Sequence, residues 1–200
     1  MCTVESRKQI WHITCMAKST RRRVGKDEWL ARALEILATD GEVGIRIERL
    51  ARDLNIAKSG FYWHFKDRKD LLSKVLDYWA YEYTGVVAQN QQLTRASPET
   101  RLNQATRMIR MHNLTKYDVS IRAWAEHDAM AAEAVAQVYQ MRLAYIRDAF
   151  RELGFKGDEL EMRTRLYVCY HSWEAAMFGG ESERKLARLQ KLRIKLLCRN

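Results

Sequence analysis

The chain has 200 residues, 47% hydrophobic and 30% charged, which is enough for one or two small domains with true cores. A single proline and nine glycines argue against a turn-rich β fold and for helices. The net charge of +10 suits a polyanionic partner, but it is gathered at the two ends: residues 1–26 are net +6, residues 184–200 net +7, and the body between them net −3.

Residues 1–24 read as a basic flexible arm carrying Arg21, Arg22 and Arg23. A phosphate- or minor-groove-binding arm and a solvated tail both fit that pattern. Met16 reads as a natural start, so residues 1–15 are expected to be an upstream extension of little consequence. A first helix is predicted from about Asp27 to Thr39, with Leu30, Ala33, Leu34 and Leu37 inward and Gly41 closing it. A short helix follows, in which Ile47, Leu50, Ala51 and Leu54 repeat at helical spacing. Asn55 suits a left-handed turn, with Ile56 as its apolar anchor. The next helix carries Lys58, Ser59, Gly60, Tyr62, Trp63 and His64 outward, with Phe61 and Phe65 inward. Two short helices around a tight turn have the spacing of a helix-turn-helix, whose second helix enters a DNA major groove.

Three consecutive residues, Tyr62, Trp63 and His64, cannot all face one core at 100° per residue. The segment Phe61-Tyr62-Trp63-His64-Phe65-Lys66-Asp67-Arg68, with Asp70-Leu71-Leu72 after it, resembles the DNA-binding domain of the TetR family of bacterial transcriptional regulators. The resemblance runs from about Trp29 to Trp79; beyond it only length and helical pattern agree. It implies an all-α fold of about nine helices, with a three-helix head at residues 25–72 and a ligand-binding, dimerising bundle at 73–200. It also implies a homodimeric regulator, most often a repressor, released from a palindromic operator by a small-molecule effector. Arg46, Lys58, Ser59, Gly60, Tyr62, Trp63, His64 and Arg68 are the expected DNA-binding residues, with Tyr62, His64 and Arg68 on phosphates. Two family caps are missing: Arg46 and Ala57 stand where a Ser or Thr usually accepts free helix N–H groups, each loss costing on the order of 1 kcal/mol.

A linking helix is expected from Asp67, its N-cap, to about Gln92, with Leu71, Leu72, Val75, Leu76, Trp79, Tyr83 and Val86 as one stripe. Ser97-Pro98 opens another helix, reaching His112. A short helix from Asp118 to His127 and a long one from Ala129 to Leu153 follow. Next comes Asp158–Phe178, with the stripe Leu166, Tyr170, Trp173 and Met177. Ser182 starts the last helix, whose face of Leu186, Leu189, Leu192, Leu196 and Leu197 opposes Arg184, Arg188, Lys191 and Lys195. That amphipathic pattern fits a membrane or nucleic-acid surface or the solvated outer face of a dimerisation helix; the resemblance implies the latter, with a dimer made by residues 158–178 and 182–197.

Met108, Met111, His112, Trp124, His127, Tyr139, Tyr170 and Trp173 are candidate effector-pocket residues, a mixed aromatic and methionine set suited to an apolar or planar ligand. His112, His127 and His171 lie on three different helices without ligand spacing, so no metal and no cofactor is expected. Cys2, Cys15, Cys169 and Cys198 form no C-x-x-C pair and read as reduced thiols. The absence of signal-peptide features and of any run near the roughly 20 apolar residues a membrane span needs gives a cytoplasmic expectation. Nucleotide-, serine-hydrolase- and zinc-protease-type motifs are absent, so no enzymatic activity is expected. An effector-independent activator or nucleoid-type protein stays open, as does a helical scaffold or enzyme with a vestigial helix-turn-helix.

Overall fold

The computed structural model describes residues 24–199 except 91, 92 and 94; the arm at Arg21–Arg23 and the expected extension at 1–15 lie outside the described residues. Nine α-helical stretches and no strand occur among them. The helices are α1 (Lys26–Asp40), α2 (Ile47–Asp53), α3 (Arg68–Ala80), the single turn α4 (Val86–Ala88), α5 (Pro98–Met111), α6 (Asp118–Ala125), α7 (Ala129–Glu152), α8 (Gly157–Phe178) and α9 (Glu183–Cys198). A 3-10 turn, Glu42–Gly44, joins α1 to α2, and a 3-10 helix, Lys58–Trp63, stands between α2 and α3.

The N-terminal helices close around aromatic rings. Trp29 of α1 meets Phe61 and Phe65 edge-on, with centroids 5.6 and 6.4 Å away. All three rings are buried, and each Phe contributes about 2–3 kcal/mol by leaving water. Arg32 of α1 clasps Asp53 at the end of α2 through Nε and Nη2 (3.1 and 2.7 Å). Gly41 ends α1 with φ 69°, and Asn55 takes φ 54° in the turn after α2, a left-handed conformation that Asn tolerates. Gly44 is required by space: a Cβ there would sit 2.7 Å from the Asp40 Cβ. Asp67 caps α3 by accepting from the Asp70 N–H (2.8 Å), whereas Arg46 and Ala57 provide no side-chain cap.

The linking helix departs from the expected stripe. After Trp79 the chain makes a π-helical turn, Tyr81–Gly85, and the next buried side chains are Thr84 and Val87. Tyr83 and Val86, the residues that α periodicity predicts, are only partly buried. The extra residue in the wider turn moves the inward face forward by one position.

One hydrophobic core runs through the N-terminal helices and on into Tyr117, Ile121, Trp124, Ala131 and Val138. A second core joins α5, α7, α8 and α9 around Phe150, Phe155 and Tyr167. Here the expected α8 stripe faces the wrong way for a core: Leu166 (52%), Trp173 (38%) and Met177 (67%) are exposed. Thr164, Tyr167, Val168 and His171 are buried instead. On α9, Ile194 is the buried residue, and Leu192 and Leu196 face out. Arg163 fastens α9 to α8 by donating to the Leu197 and Arg199 carbonyls (2.6 and 3.0 Å).

Candidate nucleic-acid interface and body cavity

The turn at Asn55 sends the chain back across α2, and the buried Phe61 and Phe65 fix which side of the Lys58–Trp63 helix looks outward. What looks outward is Ser59, Tyr62 (57% exposed) and Trp63 (86% exposed). Gly60 would tolerate a methyl group, its nearest neighbour being Ile56 Cδ1 at 3.5 Å, so local packing does not demand glycine there. Lys58 lies on the same surface, held by Glu48 of α2 at 2.5 Å, and the Glu48 carboxyl is correspondingly drawn below its ordinary range. Arg46 is exposed at the start of α2 and makes no ion pair among the described residues. Lys66 and Lys69 are also exposed and unpaired there. Both follow the Lys58–Trp63 helix within six residues, and that proximity in sequence is the signal that would have added them to the candidate set.

Two of the expected contacts have structural work of their own. His64 Nε2 lies 3.2 Å from the Val24 carbonyl, tying the start of the helical region to the aromatic turn. Arg68 donates through Nε to the Ile45 carbonyl (2.9 Å) and through Nη2 to the Glu42 carbonyl (2.6 Å) and carboxylate (3.2 Å). It thereby pins the N-terminus of α3 to the Glu42–Gly44 turn, while 42% of its side chain stays in solvent. Rings, hydroxyls and cations on a protruding short helix form the combination that stacks on sugars and donates to phosphates and base edges.

In the body, a cavity of about 50 Å³ opens between the π turn, α5, α7 and α8. None of the eight residues expected to line a pocket borders it. Met111, His112 and His127 are exposed, Trp124 is in the main core, and Met108 packs in a small cluster with Val87 and Leu114. Tyr139 and Trp173 flank the Arg122 guanidinium (5.4 and 5.5 Å to the ring centroids), and Tyr170 stacks on Phe178. Trp124 and His127 border a different and larger depression, an open cleft of about 450 Å³ between α1 and α6 that also includes Val43 and Val119. The α8 stripe misled because its bulky residues recur at helical spacing on the face that looks away from the body.

The cavity adjoins a buried polar junction. Arg142 donates from Nε to Thr84 in the π turn (3.0 Å) and from Nη2 and Nη1 to both carboxylate oxygens of Asp118, the first of these at 3.1 Å. Asp118, 1% exposed, also accepts from Trp79 Nε1 (3.2 Å). Removing either charge from such a buried pair costs about 3–5 kcal/mol. On the opposite wall His171 donates from Nδ1 to the Tyr167 carbonyl (2.7 Å), and its Nε2 accepts from Arg193 Nη2 (3.1 Å). Burial, then Arg193, holds this imidazole neutral, with its pKa pushed down to about 3. Thr106 bridges His171 and the Tyr167 hydroxyl (2.9 and 2.7 Å), and that hydroxyl donates to the Leu102 carbonyl (2.8 Å). Among the described residues no cluster of His, Cys, Asp and Glu side chains is arranged to hold a metal ion, and no helix is long and apolar enough to cross a membrane.

No protein-family model and no curated protein matches the sequence. Solved structures do resemble the fold. A transcriptional regulator from Rhodococcus sp. superimposes with a TM-score of 0.68 at 12% identity, over 87% of this chain and 96% of that one. A TetR transcriptional regulator from Legionella pneumophila gives 0.66 at 13% identity, over 86% and 97%. FadR from Bacillus subtilis, solved with stearoyl-CoA, gives 0.66 at 14% identity, over 88% and 98%. At such identities the agreement establishes a common all-α architecture spanning nearly the whole chain.

Proposed function

We propose that the protein is a sequence-specific, homodimeric DNA-binding transcriptional regulator that leaves its operator when a small molecule enters the body cavity. The observation that carries this reading is the outward display of Tyr62 and Trp63 on the short helix after the Asn55 turn. The Trp63 ring is almost wholly in solvent and Tyr62 touches the core only edge-on at Phe61, and both suit a groove wall. Residues 25–72 act as the reading head and 73–200 as the sensing and dimerising body.

Docked in a major groove, Lys58, Ser59 and Gly60 face base edges or the adjacent backbone, and the absent Cβ of Gly60 permits close approach. Tyr62, Trp63 and the exposed part of Arg68 meet sugars and phosphates, with Arg46, Lys66 and Lys69 adding charge. His64 acts chiefly by holding that surface in place. Residues 27–80 are net −1, so these few cations carry the attraction to DNA. Pairing two copies through the exposed faces of α8 and α9 presents two heads, and a palindromic operator with half-sites about 34 Å apart follows. Repression, the commonest outcome for such a fold, results when that operator overlaps a promoter.

The presence of a cavity beside the linking helix favours effector control over an effector-independent activator, for which a filled body would suffice. FadR was solved with an acyl-CoA. A cavity of about 50 Å³ is too small for a stearoyl chain, so a much smaller effector is expected here.

The test is selection of fragmented genomic DNA by the purified protein, followed by sequencing. Enrichment of a few sites with inverted symmetry is expected. No enrichment, together with no duplex binding at low salt, would refute the regulator reading and return the scaffold or enzyme alternatives.

A further inference from the structure

The body cavity has a one-sided chemistry. Its walls are largely carbon, from Val87, Ile109, Leu114, Ile146 and Val168. The charged side chain on its lining is the Arg142 guanidinium, whereas Asp118 pairs with that group from behind and does not border the space. Tyr145 also lines the cavity, and its hydroxyl is buried without a hydrogen-bond partner. An unmet buried donor of this kind costs about 1–3 kcal/mol, which a ligand acceptor would recover. Tyr145 and Arg142 are three residues apart on α7 and so lie side by side on one helix face.

Arg101 lies nearby, 5% exposed, paired with Glu152 at 2.6 Å and with its Nε unpartnered, and its charge reaches Tyr145. His171, on the far wall, has both ring nitrogens engaged within the protein and offers a ligand no lone pair. No carboxylate borders this lining to pair with an ammonium group, and the unpartnered Tyr145 hydroxyl lies on the same helix as a guanidinium already shared among Thr84, Asp118 and Ser172. The volume admits on the order of four water-sized positions.

We propose that the cavity binds a short-chain monocarboxylate, its carboxylate accepting from the Tyr145 hydroxyl and the Arg142 guanidinium and its alkyl tail lying against Val87, Ile109 and Val168. Regulation of the head through this site rests on the regulator reading given above. Arg142 holds Thr84 in the π turn and Asp118, which in turn holds Trp79 of the linking helix. A second carboxylate competing for that guanidinium loosens both ties together.

Calorimetric titration of the full-length protein, without DNA, with butyrate, butyramide and butylamine separates size from charge. Butyrate is expected to bind, butyramide about tenfold more weakly, and butylamine not at all. Tyr145→Phe should weaken butyrate about tenfold while raising the thermal midpoint of the free protein, because an unpaired buried hydroxyl is removed. A merely structural Tyr145 would lower that midpoint and leave butyrate binding unchanged. Arg142→Lys, checked for folding by circular dichroism, should weaken butyrate further. Absence of butyrate binding, or equal binding of butylamine, would overturn the proposal whatever the DNA result. Butyrate binding by a protein that binds no duplex would instead uphold the ligand site and refute the regulator reading.

Discussion

Trp63 and Arg68 separate two kinds of residue that the sequence motif presents together. Trp63 is 86% exposed and its ring contributes nothing to the folded core. Trp63→Ala should therefore leave the free energy of unfolding within about 0.5 kcal/mol of the parent while weakening duplex binding, as read by fluorescence anisotropy. Arg68 bonds two backbone carbonyls in a turn remote in sequence. Arg68→Ala should lower the midpoint as well as affinity, and an unchanged midpoint would contradict its clamping role. The distinction was invisible in the sequence because Arg68 and the carbonyls of Glu42 and Ile45 meet only after α1 and α3 pack together. Asn55 was legible for the opposite reason: a left-handed turn is a local property of one residue type.

Elements were readable wherever apolar spacing had a single solution. In α8 it had two, one face bearing Leu166, Trp173 and Met177 and another bearing Thr164, Tyr167, Val168 and His171. Size favours the first, but the second is inward because its polar groups find Thr106 on α5 and Arg193 on α9. That choice has a pH signature. His171 is held neutral down to about 3 when folded, against 6.5 as the ordinary value. Between those values the unfolded chain binds the extra proton, so the neutral site's contribution is complete above about pH 6.5 and is lost as pH falls, with a slope on the order of 1 kcal/mol per pH unit. His171→Gln should flatten the thermal midpoint between pH 6.5 and 4 relative to the parent. Parallel curves for the two proteins would show that His171 is not buried as a neutral clamp. Neighbouring Glu174 and Arg193 remain in both proteins and cancel in the comparison.

For the whole molecule, the all-α architecture and the position of the helix-turn-helix followed from helical spacing, the few turn residues and the Phe61–Arg68 segment. The cavity did not, since its lining comes from the π turn and four separate parts of the chain that only the tertiary fold brings together. The exposed apolar residues Met162, Leu166, Trp173 and Met177 on α8, with Leu192 and Leu196 on α9, are a surface that a second copy would cover. Leu166→Glu should convert a dimer to a monomer in sedimentation equilibrium, and retention of the dimer would place the interface elsewhere. In the proposed regulator, loss of pairing should also abolish high-affinity operator binding, because each head alone would read half of the proposed palindrome.

The π turn at Tyr81–Gly85 gives the linking helix two phases. Before it, Leu72, Val75, Leu76 and Trp79 are set for the core shared with α1; from Thr84 near its end to Val87 beyond it, the chain is set for the cavity. Since one residue is worth about 100° of helical rotation, deleting a single residue within this turn would leave a good helix but point one of those two faces away from its partner. The spare residue thus acts as a phase shifter, letting one rod serve two environments. Its removal is the smallest lesion that would preserve the helices on either side while breaking the proposed coupling between cavity and head.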